Sequence, residues 1–304
     1  MSINICCGSD KGDVFSIEYS IQLKKFFENF IDIEANSGPI TAIVTNDEML
    51  LSGSSDGNIQ SYELKLKKKL FNFDKCHSSS ISSLSLSENN TYLFSTGNDG
   101  AIIIWRRTNS NWENIKMMDM HKSSVVLSIH PSDKFAISLS KNVFRVWDLY
   151  NMRQSHKMTI NQSFVSVKFS PSGKYYLLCS CNLINVYEVE EAKLKSSIKI
   201  LTNIKDVFFK SDDEICVAEL RKISYYDLNA STSIEKKTLN FSNNHCKHIY
   251  ICGPDSRYLI CIVSLNSGVS LNVYDAGDHN NTPILLASHE ISNLRVTCMT
   301  CVYK

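Results

Sequence analysis

The sequence predicts an all-β protein, a seven-bladed β-propeller closed by its C-terminal strand. Three observations predict it: a β-rich segment ending on an aromatic residue recurs seven times, the repeat length is near 40–45 residues, and the repeats account for the 304 residues of the chain. WD40-type propeller blades, with four short strands each, have this period. We therefore expect residues 1–304 to form a single domain.

In each repeat a turn is followed by a run of β-forming residues that ends on an aromatic anchor. The stretch STGNDGAIIIWRR, residues 95–107, is the clearest example. The anchors are 39 to 48 residues apart: Tyr19, Tyr62, Trp105, Trp147, Tyr187, Tyr226 and Tyr274. This spacing assigns one blade to each anchor, and the blades are numbered one to seven in this order.

Blade three has a complete set of the four polar residue types that hydrogen-bond to one another inside WD-repeat blades. These are His77, Ser95, Asp99 and Trp105, which we predict to form a buried structural tetrad. An internal hydrogen bond contributes roughly 1 kcal/mol, whereas an unpaired buried partner costs about 1–3 kcal/mol. Asp133 lies in a predicted surface turn of blade four, where replacement by alanine is expected to be nearly neutral.

The tetrad is incomplete in the other blades. Blade two has Ser37-Gly38 where the histidine is expected, and blade four has Lys141-Asn142 in place of the aspartate. The last three blades match the pattern less well still. We therefore expect those blades to be held mainly by strand pairing and apolar packing.

The two ends of the chain predict how the ring closes. The N-terminus supplies strands near Ile3–Cys7 and Val14–Tyr19, and an outer strand near Phe26–Ile33, so blade one lacks an inner strand. The β-rich segment LRVTCMTCV, residues 294–302, can supply it and remove an exposed edge. The apolar spacing in residues 22–33 would also suit an amphipathic helix, but its place after an anchor favours a strand.

Composition indicates a globular protein with no overall electrostatic bias. The chain is 43% hydrophobic and 21% charged, with a formal net charge of +1. The N-terminus MSINICCGSDKG does not resemble a secretory signal, and the apolar runs have the length of strands. We expect an intracellular soluble monomer that does not associate with membranes.

Eleven cysteines raise the possibility of a metal site. Close pairs occur at Cys6-Cys7, Cys179-x-Cys181 and Cys298-x-x-Cys301. Their spacings differ from one another and do not form the two regular pairs that zinc sites use. We expect buried, reduced thiols and no metal or cofactor.

One sequence matches a hydrolase motif. GSSDG, residues 53–57, has the form G-x-S-x-G with Ser55 as the would-be nucleophile. That chemistry requires a strand, a sharp turn and a helix, whereas the residues that follow are typical of a strand. We interpret the motif as the inter-strand turn of the repeat and expect no catalytic residues.

The loops that follow the anchors open on one face of a propeller, and in blades one to three they are basic. The alternative is that exposed hairpins favour lysine only for its solubility. The candidate contact surface, for RNA phosphates or an acidic protein patch, consists of Lys24, Lys25, Lys65, Lys67, Lys68, Lys69, Arg106 and Arg107.

Residues 120–192 resemble a particular family. They contain a His-Lys start, an HPS turn, the Trp147 blade, and a blade without histidine that has SPSGKYY and NVYEV. This order is similar to the PAK-interacting WD-repeat proteins, whose fungal members are factors for large ribosomal subunit assembly. Residues 38–70 and 294–302 resemble the same family, whereas blades six and seven match it least.

The resemblance implies a non-catalytic scaffold in large ribosomal subunit biogenesis. It also implies pre-ribosomal proteins and ribosomal RNA as partners, a protein kinase as a further partner, and a nuclear or nucleolar location. The alternative is a propeller subunit of another complex, because KGDVFSIEY, residues 11–19, is similar to the partner subunit of a tRNA guanine methyltransferase. An enzyme is the less favoured third class.

Overall fold

A computed structural model of the protein describes residues 1–32, 36–73, 76–109, 111–118, 121, 123–229, 235–241, 244–277 and 281–304, without the side chains of residues 29–32. These ranges contain 28 β-strands and one turn of 3-10 helix, Pro254–Ser256. The predicted all-β class is confirmed.

Every strand pairs antiparallel with its neighbours in a sheet. Those of the first half of the chain are β1 (Ser2–Ser9), β2 (Val14–Ser20), β3 (Lys25–Asp32), β4 (Ile40–Thr45), β5 (Met49–Ser54), β6 (Ile59–Glu63), β7 (Lys68–Phe73), β8 (Ile81–Leu86), β9 (Tyr92–Gly97), β10 (Ile102–Thr108), β11 (Asn111–Met118), β12 (Val126–Ile129), β13 (Phe135–Ser140), β14 (Val143–Asp148) and β15 (Arg153–Thr159). Those of the second half are β16 (Ser166–Phe169), β17 (Tyr175–Cys179), β18 (Leu183–Glu188), β19 (Leu194–Lys199), β20 (Ile204–Phe209), β21 (Glu214–Glu219), β22 (Lys222–Asp227), β23 (Glu235–Asn240), β24 (His245–Cys252), β25 (Tyr258–Ser264), β26 (Gly268–Asp275), β27 (Ile284–Ser292) and β28 (Val296–Tyr303).

The strands form seven four-stranded sheets, the blades of a β-propeller. Blades two to seven each use four consecutive strands, from β4–β7 to β24–β27, and blade one has the order β28-β1-β2-β3. The first strands of neighbouring blades contact one another, from β28 to β4, β8, β12 and β16, and from β20 to β24 and back to β28. The predicted seven-bladed ring is confirmed.

Strand β28 closes the ring by pairing with the N-terminal strand. The antiparallel register runs from Ile3 opposite Tyr303 to Ser9 opposite Val296. Backbone hydrogen bonds between Ser2 and Lys304, of 2.9 and 2.8 Å, extend the ladder. The predicted closing segment is therefore confirmed, with a strand that begins two residues later than residue 294.

Residues 25–32 form an outer strand and not a helix, because β3 pairs with β2 along its length. The predicted strand is confirmed, although Ile33, its expected last residue, lies outside the described ranges. The ring of Phe26 packs against that of Tyr19, with 5.1 Å between centroids.

The register corrects the anchor of blade one. In blades two to seven a β-bulge directly precedes the anchor aromatic, as between Ile104 and Trp105. In blade one the bulge lies between Ser16 and Ile17, so Ile17 occupies the anchor position. Tyr19 lies two residues further on, and the period-2 geometry of a strand puts both side chains on one face. The sequence pattern alone therefore does not distinguish Ile17 from Tyr19 as the anchor.

Apolar side chains pack between neighbouring blades. One cluster joins Leu51, Ile59 and Phe73 of blade two to Ile103 and Trp105 of blade three. Full burial of a large apolar side chain stabilises the folded state by about 1.5–3 kcal/mol. Each blade therefore depends on the next for its core, and the loops are held at fixed positions around the ring.

Candidate interaction surface

The four polar residues of blade three lie within hydrogen-bonding distance of one another. The indole Nε1–H of Trp105 donates to Ser95 Oγ at 2.9 Å, and that hydroxyl lies 2.9 Å from His77 Nε2. His77 Nδ1 is 3.1 and 3.2 Å from the two Asp99 carboxylate oxygens. Since the carboxylate can only accept, Nδ1 carries the proton and the serine hydroxyl donates to Nε2.

The Asp99 carboxylate is held in its ionised form. Burial alone would raise the pKa of Asp99, but hydrogen bonds from the Ala101 backbone N–H and from His77 lower it below its ordinary value. The backbone N–H of Ser78 also donates to this carboxylate at 2.9 Å. The chain of bonds ties the turn between β9 and β10 to the segment that precedes β8.

Blade four has only the inner part of this arrangement. Ser138 Oγ is 2.8 Å from both Trp147 Nε1 and His121 Nε2. The other ring nitrogen of His121 is buried and has no hydrogen-bond partner among the described residues. Burial and the nearby positive charges of Arg145 and Lys157 lower the pKa of His121 to about 4.

Blade six differs from the expectation that its stability comes from strand pairing and apolar packing. The Glu219 carboxylate is 2% exposed, accepts a hydrogen bond from Ser224 Oγ at 3.1 Å and pairs with Lys222 Nζ at 3.1 Å. Lys210 and Glu214, both buried, form a second ion pair of 3.3 Å. This blade has charged networks of its own.

The reactive-looking motifs occupy structural positions. Ser55 lies in the turn between β5 and β6, and a strand, not a helix, follows it. All eleven cysteines are free; Cys179 is buried and Cys181 is exposed in the next turn. The described ranges contain no group of three or more His, Cys, Asp or Glu residues placed to hold a metal ion.

Four of the hairpins between third and outer strands, in blades one, two, four and five, share one turn geometry. The residue just before the outer strand, or one before it, has a left-handed backbone with φ between 49° and 54°: Lys24, Lys67, Met152 and Ala192. Because strands in a blade alternate in direction, these hairpins and those between first and second strands open on one face of the ring. This surface is called the hairpin face.

Six of the predicted basic residues form an exposed group on the hairpin face. None of them makes an ion pair with any described residue. Lys24, Lys65 and Lys67 lie in the turns, whereas Lys25, Lys68 and Lys69 are the first residues of the outer strands. The lysine group, as we call it, consists of Lys24, Lys25, Lys65, Lys67, Lys68 and Lys69, all exposed.

Arg106 and Arg107 are not in a loop, contrary to the sequence-based placement. Strand β10 extends to Thr108, so both arginines lie within it. Arg106 pairs with Glu113 of the adjacent strand at 3.0 Å, and Arg107 pairs with Glu48 of blade two at 3.2 Å. Their charges are therefore partly neutralised within the chain.

The fold defines the class: this is a seven-bladed β-propeller, and blade three has the polar tetrad that is typical of WD repeats. The family model for the WD domain, G-beta repeat, matches residues 67–106, which include the outer strand of blade two and most of blade three.

Comparison with known proteins narrows the relationship. The chain is 28% identical over 271 residues, 87% of its own length, to the "p21-activated protein kinase-interacting protein 1-like" protein of Gallus gallus, and covers 71% of that protein. The human p21-activated protein kinase-interacting protein 1 is 27% identical over 57% of this chain, covering 44% of that protein. Protein MAK11 of Saccharomyces cerevisiae is 26% identical over 57% of this chain, covering 46% of that protein. The chain is a propeller with a WD-repeat match and is similar to these proteins, so the resemblance inferred from its sequence is confirmed.

Proposed function

We propose that this protein is a non-catalytic scaffold of large ribosomal subunit assembly, which binds ribosomal RNA through the hairpin face of blades one and two. The observation that supports this most is the lysine group: six exposed lysines without ion-pair partners among the described residues, on adjacent hairpins. The resemblance to fungal assembly factors is the reason for proposing ribosome assembly as the process. By the same resemblance we propose a nucleolar location.

The hairpin tips carry exposed leucines as well as lysines. Leu23 is 62% and Leu66 57% exposed, and each directly precedes the left-handed lysine of its turn. The two leucines add apolar contact area beside the lysine charges. A surface that pairs apolar contact with cationic contact is suited to RNA, where bases and phosphates lie side by side.

The charge of the lysine group predicts how strongly RNA affinity depends on salt concentration. Each lysine that neutralises a phosphate releases counterions, so affinity falls steeply with salt. Four such contacts from the β6–β7 hairpin would weaken binding by roughly 100-fold between about 50 and 200 mM salt.

The test is co-sedimentation with large-subunit precursor particles across a salt series. Replacing Lys65, Lys67, Lys68 and Lys69 by glutamate should release the protein at lower salt than wild type, with a nearly unchanged melting temperature because these residues are exposed. A matched control replaces four exposed lysines elsewhere, Lys116, Lys141, Lys199 and Lys205, and should behave as wild type.

The leucines provide a second arm of the same experiment. Replacing Leu23 and Leu66 by serine should weaken co-sedimentation at every salt concentration without changing the salt dependence. If the glutamate variant and its control dissociate at the same salt concentration as wild type, the hairpin face of blades one and two is not the RNA-binding surface.

A protein kinase is a second candidate partner, favoured by the names of the related vertebrate proteins. Binding of a purified p21-activated kinase to this chain, measured by calorimetry, tests it separately. If the kinase does not bind, kinase binding is not a property of this chain.

A further inference from the structure

A cleft of about 470 Å³ lies between blades four and five, on the hairpin face. Blade four contributes an aromatic wall and blade five contributes two turns, one after β16 and one after β18. The lining residues used below are His130, Phe135, Tyr175, Glu188, Glu190 and Glu191. None of them belongs to the lysine group.

The aromatic wall is rigid because His130 is fixed at both ring nitrogens. The backbone N–H of Ser132 donates to Nδ1 at 3.1 Å, so the proton is on Nε2, which donates to the Gly173 carbonyl at 3.1 Å. The ring stacks on Phe135, with 4.2 Å between centroids and 23° between planes. The hydrogen bond between His130 and the Gly173 carbonyl joins blade four to blade five, so it fixes the distance between the two sides of the cleft.

The rim of the cleft is acidic. Glu188, Glu190 and Glu191 lie at the end of β18 and in the turn that follows it, and none of them forms an ion pair with a described residue. Among the described residues that line the cleft, Lys174 is the one with a positive charge. Three carboxylates against one ammonium leave a net negative charge beside flat aromatic surfaces.

Tyr175, which lines the cleft from blade five, already contacts a cation of the chain itself. The Lys195 ammonium lies 3.8 Å from the ring centroid of Tyr175 and pairs with Asp213 at 3.2 Å. An aromatic ring beside a carboxylate therefore holds a cation next to this cleft.

We propose that this cleft binds an arginine side chain of a protein partner. A guanidinium is planar, stacks on aromatic rings and donates pairs of hydrogen bonds to carboxylates. The flat walls and the acidic rim match these properties, and an apolar or anionic side chain would leave the carboxylates unpaired. The hairpin face then has two sites of opposite charge preference, the lysine group for anions and this cleft for a basic protein segment.

Fluorescence anisotropy with a labelled Gly-Arg-Gly-Arg-Gly peptide at low salt tests the proposal. Removing two exposed carboxylates with Glu190→Gln and Glu191→Gln should weaken binding roughly three- to tenfold, the range expected for two exposed charge contacts. The control variant Asp47→Asn with Glu88→Gln removes the same charge from other turns of the hairpin face and should change the affinity less than about twofold.

A peptide with citrulline in place of arginine keeps the size and removes the charge, so it should bind at least tenfold more weakly. The proposal is wrong if the wild-type protein does not bind the arginine peptide, if the Glu190 and Glu191 variant binds as tightly as wild type, or if the citrulline peptide binds equally well. If both double variants weaken peptide binding equally, the binding depends on the overall charge of the hairpin face. That result would contradict a binding site in the cleft. Unchanged melting temperatures of both variants would show that the fold is intact.

Discussion

Blade three and blade one are held together in different ways. Blade three is a continuous segment with a complete polar tetrad, in which Trp105, Ser95, His77 and Asp99 form successive hydrogen bonds. Blade one has Ile17 at the position of the tryptophan, so it cannot form this chain. Its cohesion comes from pairing two strands that are almost 300 residues apart in sequence.

The difference shows what the tetrad contributes. Blade one, with β28, buries a large apolar cluster that it shares with blade seven, including Ile3, Ile5, Tyr258 and Val296. The tetrad orients one local turn, whereas closure is a non-local contact on which the whole ring depends. Loss of closure should therefore cost much more than loss of any one tetrad residue.

Deletion of residues 293–304 is expected to have the largest effect. It removes β28, exposes the backbone edge of β1 and uncovers the apolar cluster of blade one. We expect insoluble protein or loss of cooperative unfolding in thermal denaturation followed by circular dichroism. A truncated protein that melts like the parent would refute closure by β28.

Asp99→Ala tests the tetrad of blade three and should cost about 1–3 kcal/mol, because it leaves the buried His77 N–H without an acceptor. Asp56→Ala is the matched control. Asp56 occupies the same turn position in blade two but pairs with Ser37 instead of a histidine, so its loss should cost less. Urea denaturation of both variants measures the difference, and equal costs would show that the tetrad adds nothing beyond turn capping.

Acidification should weaken blade four through His121. Because the fold lowers the pKa of His121 to about 4, below an ordinary histidine pKa of about 6.5, the unfolded chain takes up a proton between these values and the folded chain does not. The free energy of unfolding should fall over this window, by at most about 1.4 kcal/mol per pH unit from this group. His121→Gln should show a shallower fall from pH 6.5 to 4 in urea denaturation, and parallel curves would contradict it.

Asp133→Ala should have the smallest effect of the four, yet the structure revises the expectation that it is nearly neutral. Asp133 accepts hydrogen bonds from the backbone N–H groups of Glu88 and Asn89 of blade three, and its φ is 56°. We expect a cost of about 1 kcal/mol for alanine. Asp133→Asn should cost less, because asparagine tolerates this backbone conformation. Equal free energies of unfolding for wild type and both variants, measured by urea denaturation, would contradict this expectation.

The sequence predicted the number of blades, the closing strand and the tetrad because these depend on local patterns. A turn, a strand and an aromatic at a fixed spacing are visible in STGNDGAIIIWRR without knowledge of any partner strand. The alternation of strand residues predicts which side chains face inward, but not which of two same-face residues follows the bulge. The pattern therefore favours Tyr19 as the anchor, whereas the structure places Ile17 there.

The features that the sequence did not predict depend on strand length or on contacts between blades. The seven residues of β10, against five in β6, place Arg106 and Arg107 within a strand. The charged network around Glu219 joins residues that have no counterpart in the repeat pattern. The acidic cleft depends on the contact between His130 and Gly173, which are 43 residues apart. Only the spatial arrangement of the blades reveals it.

Affinity capture of the tagged protein under native conditions, with mass spectrometry and RNA sequencing of what is retained, tests the proposed scaffold role most directly. We predict recovery of large-subunit assembly factors together with precursor ribosomal RNA, and loss of the RNA when Lys65, Lys67, Lys68 and Lys69 are replaced by glutamate. Recovery of a single methyltransferase, or of no stable partner, would contradict a role in ribosome assembly.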